Sequence, residues 1–296
     1  MIIIYVRLYR FKEGNVKEFS AFKKKKEHLI CFDSDGCVMD TMRTKHTKCF
    51  GPCIVDEWGL HSLREEILAR WNKINLYTIY RGINRFRGLA MILDEINEKH
   101  RPIDGIDALR LWVKTAPELS NRALKDMIDE NPFERIFKKA LSWSERVNRM
   151  VADLPPEDKL PFPDAKTALK LAHEKADVAI VSSANQEAVI EEWSLHGLIK
   201  AVDVIMTQSD GSKAFCIGRL ADLGYEKDKI LMCGDSAGDL SAAERVGVLF
   251  YPILADRENT SWNVFISDGL DRFIGGEYVG EYSEGKKSDF YSNLGK

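Results

Sequence analysis

No run in this 296-residue chain is apolar for the roughly 20 residues that a bilayer-crossing helix needs. The start, residues 1–6, is apolar, but Arg7 and Arg10 interrupt it at once. It lacks the apolar stretch of ~7–15 residues and the small-residue cleavage site of a secretory signal. A short strand is the better reading, and the chain is expected to stay in the cytoplasm. Charge of one sign is also missing. The net charge is −3, which gives no bulk attraction to nucleic acid or to an anionic membrane. The six cysteines form no CxxC pair. Cys49 and Cys53 are helically spaced, but Phe50-Gly51-Pro52 between them argue against a regular helix there. Reduced thiols are expected rather than a zinc site.

What is present is a change of rhythm along the chain. Residues 1–27 read as an N-terminal extension, with a lysine run at 23–26 taken as a solvated linker face. Residues 28–32 read as a short buried strand. From 43 to 160, stretches such as 63–76, 121–129 and 132–151 carry apolar residues at helical spacing, with no internal repeat. From 163 onward short apolar strands (178–181, 202–206, 230–233, 248–251) alternate with helices. The expected fold is α/β. A Rossmann-like doubly wound parallel sheet, built from 28–42 and 161–296, carries a large helical domain (43–160) inserted after its first strand.

In such sheets reactive groups gather at the carboxyl ends of the strands. Those positions hold Asp33-Ser34-Asp35-Gly36, then Ser182-Ser183-Ala184-Asn185, then a polar loop leading into Lys213, then Gly234-Asp235-Ser236-Ala237-Gly238-Asp239. Folding a sheet does not require that clustering, and four converging carboxylates repel unless a cation neutralises them. All-oxygen donors suit a hard divalent ion, and Mg2+ takes one or two carboxylates plus water and a substrate phosphate. One carboxylate can then attack phosphorus, and a second can protonate the leaving oxygen.

These residues resemble the four motifs of the haloacid dehalogenase superfamily, in the branch that includes phosphoglycolate phosphatase and β-phosphoglucomutase. Asp33-Ser34-Asp35-Gly36 through Asp40 is similar to its DxDGxxxD opening, and 234–239 to its GDxxxD motif. The resemblance implies Asp33 as nucleophile and Mg2+ ligand, and Asp35 as general acid/base with its carbonyl on the metal. It implies Ser182 on the transferring phosphoryl group, Lys213 as charge balance, Asp235 as a second metal ligand, and Asp239 either holding metal-bound water or standing behind the metal's ligands. Ser183 and Asn185 would face the substrate. Retention of Asp35 separates the chain from dehalogenases and phosphonoacetaldehyde hydrolases. Cys37 stands where the family usually has Thr.

The expected activity is Mg2+-dependent hydrolysis of a small phosphorylated metabolite. A sugar phosphomutase and a binding protein with a relict site are the alternatives. The insertion holds the cap position of the family. Within it Arg81, Arg85 and Arg87 lie between two glycines and suit an anionic substrate tail. A basic surface turn paired with neighbouring acids is the competing reading.

Overall fold

The computed structural model describes residues 19–295, so the strand expected at 1–6 and most of the N-terminal extension lie outside the described residues. The chain forms two compact units, Met1–Thr41 with Pro156–Lys296, and Met42–Pro155.

The first unit opens with β1 (Leu29–Phe32), four buried residues. The chain then builds the second unit from α1 (Gly51–Trp58), α2 (Arg64–Tyr77), α3 (Arg85–Lys99), α4 (Ile106–Thr115), α5 (Asn121–Glu130) and α6 (Arg135–Ala152). It returns through α7 (Ala165–Lys175), β2 (Asp177–Val181), α8 (Gln186–Leu195) and β3 (Val204–Met206). Then come α9 (Lys213–Ala221), β4 (Ile230–Gly234), α10 (Ala237–Val246), β5 (Leu249–Pro252), α11 (Glu258–Val264), α12 (Leu270–Ile274) and α13 (Glu281–Asn293). No described helix is long and apolar enough to cross a membrane.

The strands pair in parallel in the order β3-β2-β1-β4-β5. Parallel strands covered on both faces are mostly apolar, which is why β1 and β4 read as unbroken runs and β2 does so after Asp177. β1 lies between β2 and β4, so the strand order reverses there and a crevice opens beyond their carboxyl ends. Phe32 registers with Cys233, and the residues after them therefore emerge side by side.

The lysine run departs from the linker expected of it. The backbone amides of Lys25 and Lys26 donate to Asp177 Oδ2 at 2.8 and 2.9 Å, and Tyr225 Oη donates to the same oxygen at 2.5 Å. Lys25 Nζ meets Asp203 Oδ1 at 2.5 Å, and Lys26 Nζ donates to the carbonyls of His173 and Ala176. The acceptors lie some 150–180 positions away, so local charge patterning could not reveal them.

Asp203 also accepts from Val178 N at 3.0 Å and lies 3.2 Å from His173 Nε2. Burial raises its carboxyl pKa, but the Lys25 bond, the Val178 amide and His173 outweigh that and hold it below its ordinary 3.8. A depressed folded pKa gives stability that is present above the unfolded value and lost as pH falls through the folded one. Asp203→Asn is therefore expected to cost about 1–3 kcal/mol at pH 7. In urea unfolding curves the gap from wild type should close as pH drops below about 4; a gap unchanged at pH 3 would refute this account.

The second unit has its own core, in which Trp71, Trp112, Trp143, Phe86 and Phe137 are buried. Arg70 holds Glu95 with bonds of 2.6–2.9 Å from α2 to α3. The chain is helical through 49–53, against expectation. A π-helical stretch, Lys45–Phe50, runs directly into α1. Pro52 falls just past the point where the π-helical stretch passes into α1, with Gly51 N bonded to His46 O in the wider π pattern.

In the first unit a second π stretch, Phe265–Gly269, joins α11 to α12. The glycine- and charge-rich end folds as α13, where Phe290 packs on Phe250. Tyr278 Oη bonds Phe250 O at 2.7 Å.

Candidate active site

Asp33 follows β1 directly, and its amide donates to Cys233 O at 3.0 Å, extending the β1–β4 ladder by one residue. The chain then turns sharply. Ser34 O accepts the amides of Cys37, Val38 and Met39 at 3.3, 3.0 and 2.9 Å, with Gly36 at φ 79°, a backbone that L side chains rarely adopt. Val38 O accepts Phe162 N at 2.9 Å and Asp40 N donates to Leu160 O at 2.8 Å, which pins the outgoing strand of the turn. Asp35, half-buried, accepts from the buried Thr41 hydroxyl at 2.5 Å.

Beyond β4, Asp235 and Asp239 are buried, at 1% and 0% exposure. Ser236 caps α10: Asp239 N donates to its hydroxyl, while its own amide and hydroxyl donate to Asp239 Oδ2 at 3.0 and 2.7 Å. The other oxygen of Asp239 takes Lys213 Nζ at 2.5 Å. Gly234 makes this possible, because a Cβ there would stand 2.3–2.5 Å from the Asp239 side chain.

Lys213 begins α9, which Ser212 caps by accepting from Phe215 N at 3.2 Å. Its ammonium reaches Asp33 Oδ1 at 2.9 Å as well as Asp239. Burial disfavours the ammonium, yet Asp239 and Asp33 overcome this and hold its pKa above the ordinary value. For Asp33, burial pushes the carboxyl pKa up to about 8; Lys213 opposes that, and Asp239 and Asp235 reinforce it.

One carboxylate oxygen from each of Asp33, Asp235 and Asp239 lies within 4.8 Å of the others. Three buried carboxylates, two of them bonded to Lys213, bring oxygen donors only to one point. That set fits a hard divalent cation of the Mg2+ kind.

The other residues singled out from the sequence are distributed as follows. Ser182 is buried at the end of β2, its amide on Met206 O at 3.1 Å and its hydroxyl accepting from Ala184 N at 3.2 Å. Ser183 and Asn185 are exposed, and Asn185 Oδ1 caps α8 by accepting from Glu187 N and Ala188 N. The Asp35 carboxylate is not part of the three-acid cluster.

The three arginines belong to the second unit. Arg81 is buried and donates to Leu76 O at 3.0 Å. Arg85 donates to Ser144 Oγ at 3.0 Å and Asn148 Oδ1 at 2.6 Å, and stacks on Phe50; Arg87 is exposed.

Thr41 and Ser236 were not foreseen as site residues. The Ser236–Asp239 capping box was readable as a local pattern. Nothing local marks Thr41. Cys37, in the position usually held by Thr, is buried with Sγ 3.5 Å from Cys233 O, and burial keeps its thiol protonated.

Residues 110–253 match the family model of the haloacid dehalogenase-like hydrolases. A search of curated proteins returns no match. Among solved structures, the chain is similar to a candidate phosphatase from Clostridium difficile at 18% identity and a TM-score of 0.42, covering 77% of this chain and 86% of that one. It is similar to a haloacid dehalogenase-like family hydrolase from Streptococcus pneumoniae at 14% identity and a TM-score of 0.44, covering 76% and 83%. A candidate phosphoglycolate phosphatase from Lactobacillus delbrueckii gives 14%, a TM-score of 0.48, and coverage of 76% and 85%.

The matched span contains Ser182, Lys213, Asp235 and Asp239. Asp33 precedes it in sequence and is held against it in space by the Lys213 bridge. Over residues 110–253 the chain is thus similar to the haloacid dehalogenase-like hydrolases, and Lys213 ties that span to Asp33 in one cluster with Asp235 and Asp239.

Proposed function

We propose that the protein is a Mg2+-dependent phosphatase of a small phosphorylated metabolite, acting in the cytoplasm through an aspartyl-phosphate on Asp33. The observation that carries this reading is the Lys213 ammonium bridging Asp33 and Asp239 inside a buried three-carboxylate cluster. Such a site offers carboxylate oxygens to a cation and a lysine to a phosphate. Neither nucleic acid nor a membrane enters the reading.

In this mechanism an Asp33 carboxylate oxygen forms a bond to phosphorus as the P–O ester bond breaks, and Asp35 gives its proton to the departing alkoxide. Asp35 then takes a proton from water, whose oxygen displaces Asp33 and releases phosphate. Thr41, bonded to Asp35 Oδ1 at 2.5 Å, fixes the side chain that moves both protons. Lys213 stabilises charge on the phosphoryl oxygens, and the Ser182 hydroxyl hydrogen-bonds them. A bound Mg2+ would be held by Asp33 and Asp235, with Asp239 beside it, and would keep the nucleophile ionised despite its burial. The helical unit inserted after β1 serves as the cap that admits substrate and excludes water. Arg81, Arg85 and Arg87 are its candidate contacts to an anionic tail.

Incubation with Mg2+ and a panel of phosphorylated metabolites tests the proposal, with free phosphate and isomerised sugar phosphate both measured. Phosphate release that a chelator abolishes is the expected result. Isomerisation dependent on a bisphosphate would favour a mutase, and silence across the panel would sink the catalytic reading.

A further inference from the structure

Ser34 stands between the nucleophile and the acid, and its hydroxyl is buried, at 1% exposure. It accepts a hydrogen bond of 2.9 Å from the indole Nε1 of Trp193 on α8, 159 positions away. Three residues on, the carbonyl of Cys37 accepts 3.1 Å from the indole Nε1 of Trp262 on α11, 225 positions away. Both tryptophans are fully buried. An indole N–H donates in one direction and accepts nothing, so each bond fixes a single atom of the turn.

Burial alone does not explain the pair. Although buried indoles usually find an acceptor, Trp58 Nε1 and Trp71 Nε1 in the second unit are buried with no hydrogen-bond partner among the described residues. The chain thus folds with silent indoles elsewhere, yet both tryptophans beside the Asp33–Asp40 turn donate into it. One bond falls on Ser34, whose own carbonyl gathers three amides of the turn, and the other on Cys37, which supplies one of those amides. Displacement of Ser34 would carry Asp33 and Asp35 with it, because they are its chain neighbours.

We propose that Trp193 and Trp262 are positioning residues for the nucleophile turn, Trp193 acting through the Ser34 hydroxyl and Trp262 through the Cys37 carbonyl. The claim rests on the reading of Asp33 and Asp35 as the reacting pair. A misplacement on the order of 1 Å is enough to cost about 100-fold in rate.

Trp193→Phe removes the donor and keeps an aromatic ring in the core. It is expected to lower kcat roughly 10–100-fold with KM changed less than about 2-fold, and to weaken Mg2+ binding measured without substrate. It should also lower the melting temperature, because the Ser34 hydroxyl is left buried without its donor. Ser34→Ala added to Trp193→Phe removes that orphan. The double variant should regain melting temperature while kcat and Mg2+ affinity stay low.

If kcat returns together with melting temperature, the bond is merely structural and the proposal fails. It also fails if Trp193→Phe leaves kcat and Mg2+ affinity at wild-type values. Should Trp193→Phe not fold, Ser34→Ala alone carries the test, with the same losses in kcat and Mg2+ affinity expected. A wild-type protein that hydrolyses no ester would overturn the phosphatase reading instead. Mg2+ affinity would then decide the positioning claim by itself.

Discussion

Replacing Asp33 by Asn should lower phosphate release by at least about 10,000-fold while leaving the chelated protein as stable as wild type. The two halves of that expectation have different causes. An amide cannot attack phosphorus, so no phospho-enzyme forms and only uncatalysed hydrolysis remains. Stability follows the burial of the side chain: with its carboxyl pKa pushed up to about 8, Asp33 already favours the neutral form without a cation. A neutral side chain of the same size costs little there. Thermal melts in chelator and a single-turnover phosphate assay separate the effects. Activity retained within about 100-fold of wild type would remove Asp33 from the nucleophile's role.

The second large effect is expected from Lys213→Met, and it runs the other way. Lys213 is the cation bonded to both Asp33 and Asp239, and the latter is 0% exposed. Its removal strands buried charge, a loss of about 3–5 kcal/mol, or roughly 10 °C in melting temperature for a unit of this size. Mg2+ should then raise the melting temperature of the variant more than that of wild type, because the cluster has lost the ammonium shared by Asp33 and Asp239. Phosphate release should fall by about 100–1000-fold even at saturating Mg2+, since the lysine also meets the phosphoryl group. A variant as stable as wild type in chelator, with the same response to Mg2+, would contradict the charge balance inferred for this crevice.

The sheet and the site differ in how far the sequence discloses them. β2 and β4 were legible because both faces are covered, so the strands are apolar runs that end abruptly in polar residues. Asp33, Lys213, Asp235 and Asp239 could be picked out because each follows such an end. What escaped was set by partners distant in sequence. Lys25 reads as a solvated cation until Asp203 is placed beside it. Pro52 reads as a helix breaker until the π-helical stretch before it is seen to pass into α1 at that point. Thr41 carries no local signal, and its role follows only from the turn that brings it back to Asp35.

The central place of β1 has a consequence for how the protein is made. Leu29 pairs with Asp177 on one side and Ile230 on the other, so the first of the described strands is bonded by strands that come much later. At ribosomal rates of about 5–20 residues per second, roughly 10–40 s separate β1 from β4. The helical unit, rich in local contacts, can fold within that interval, while Leu29–Phe32 waits as an unpaired apolar edge. Nascent chains arrested before residue 230 would contain Asp33 yet lack the crevice, and would present a sticky strand to chaperones.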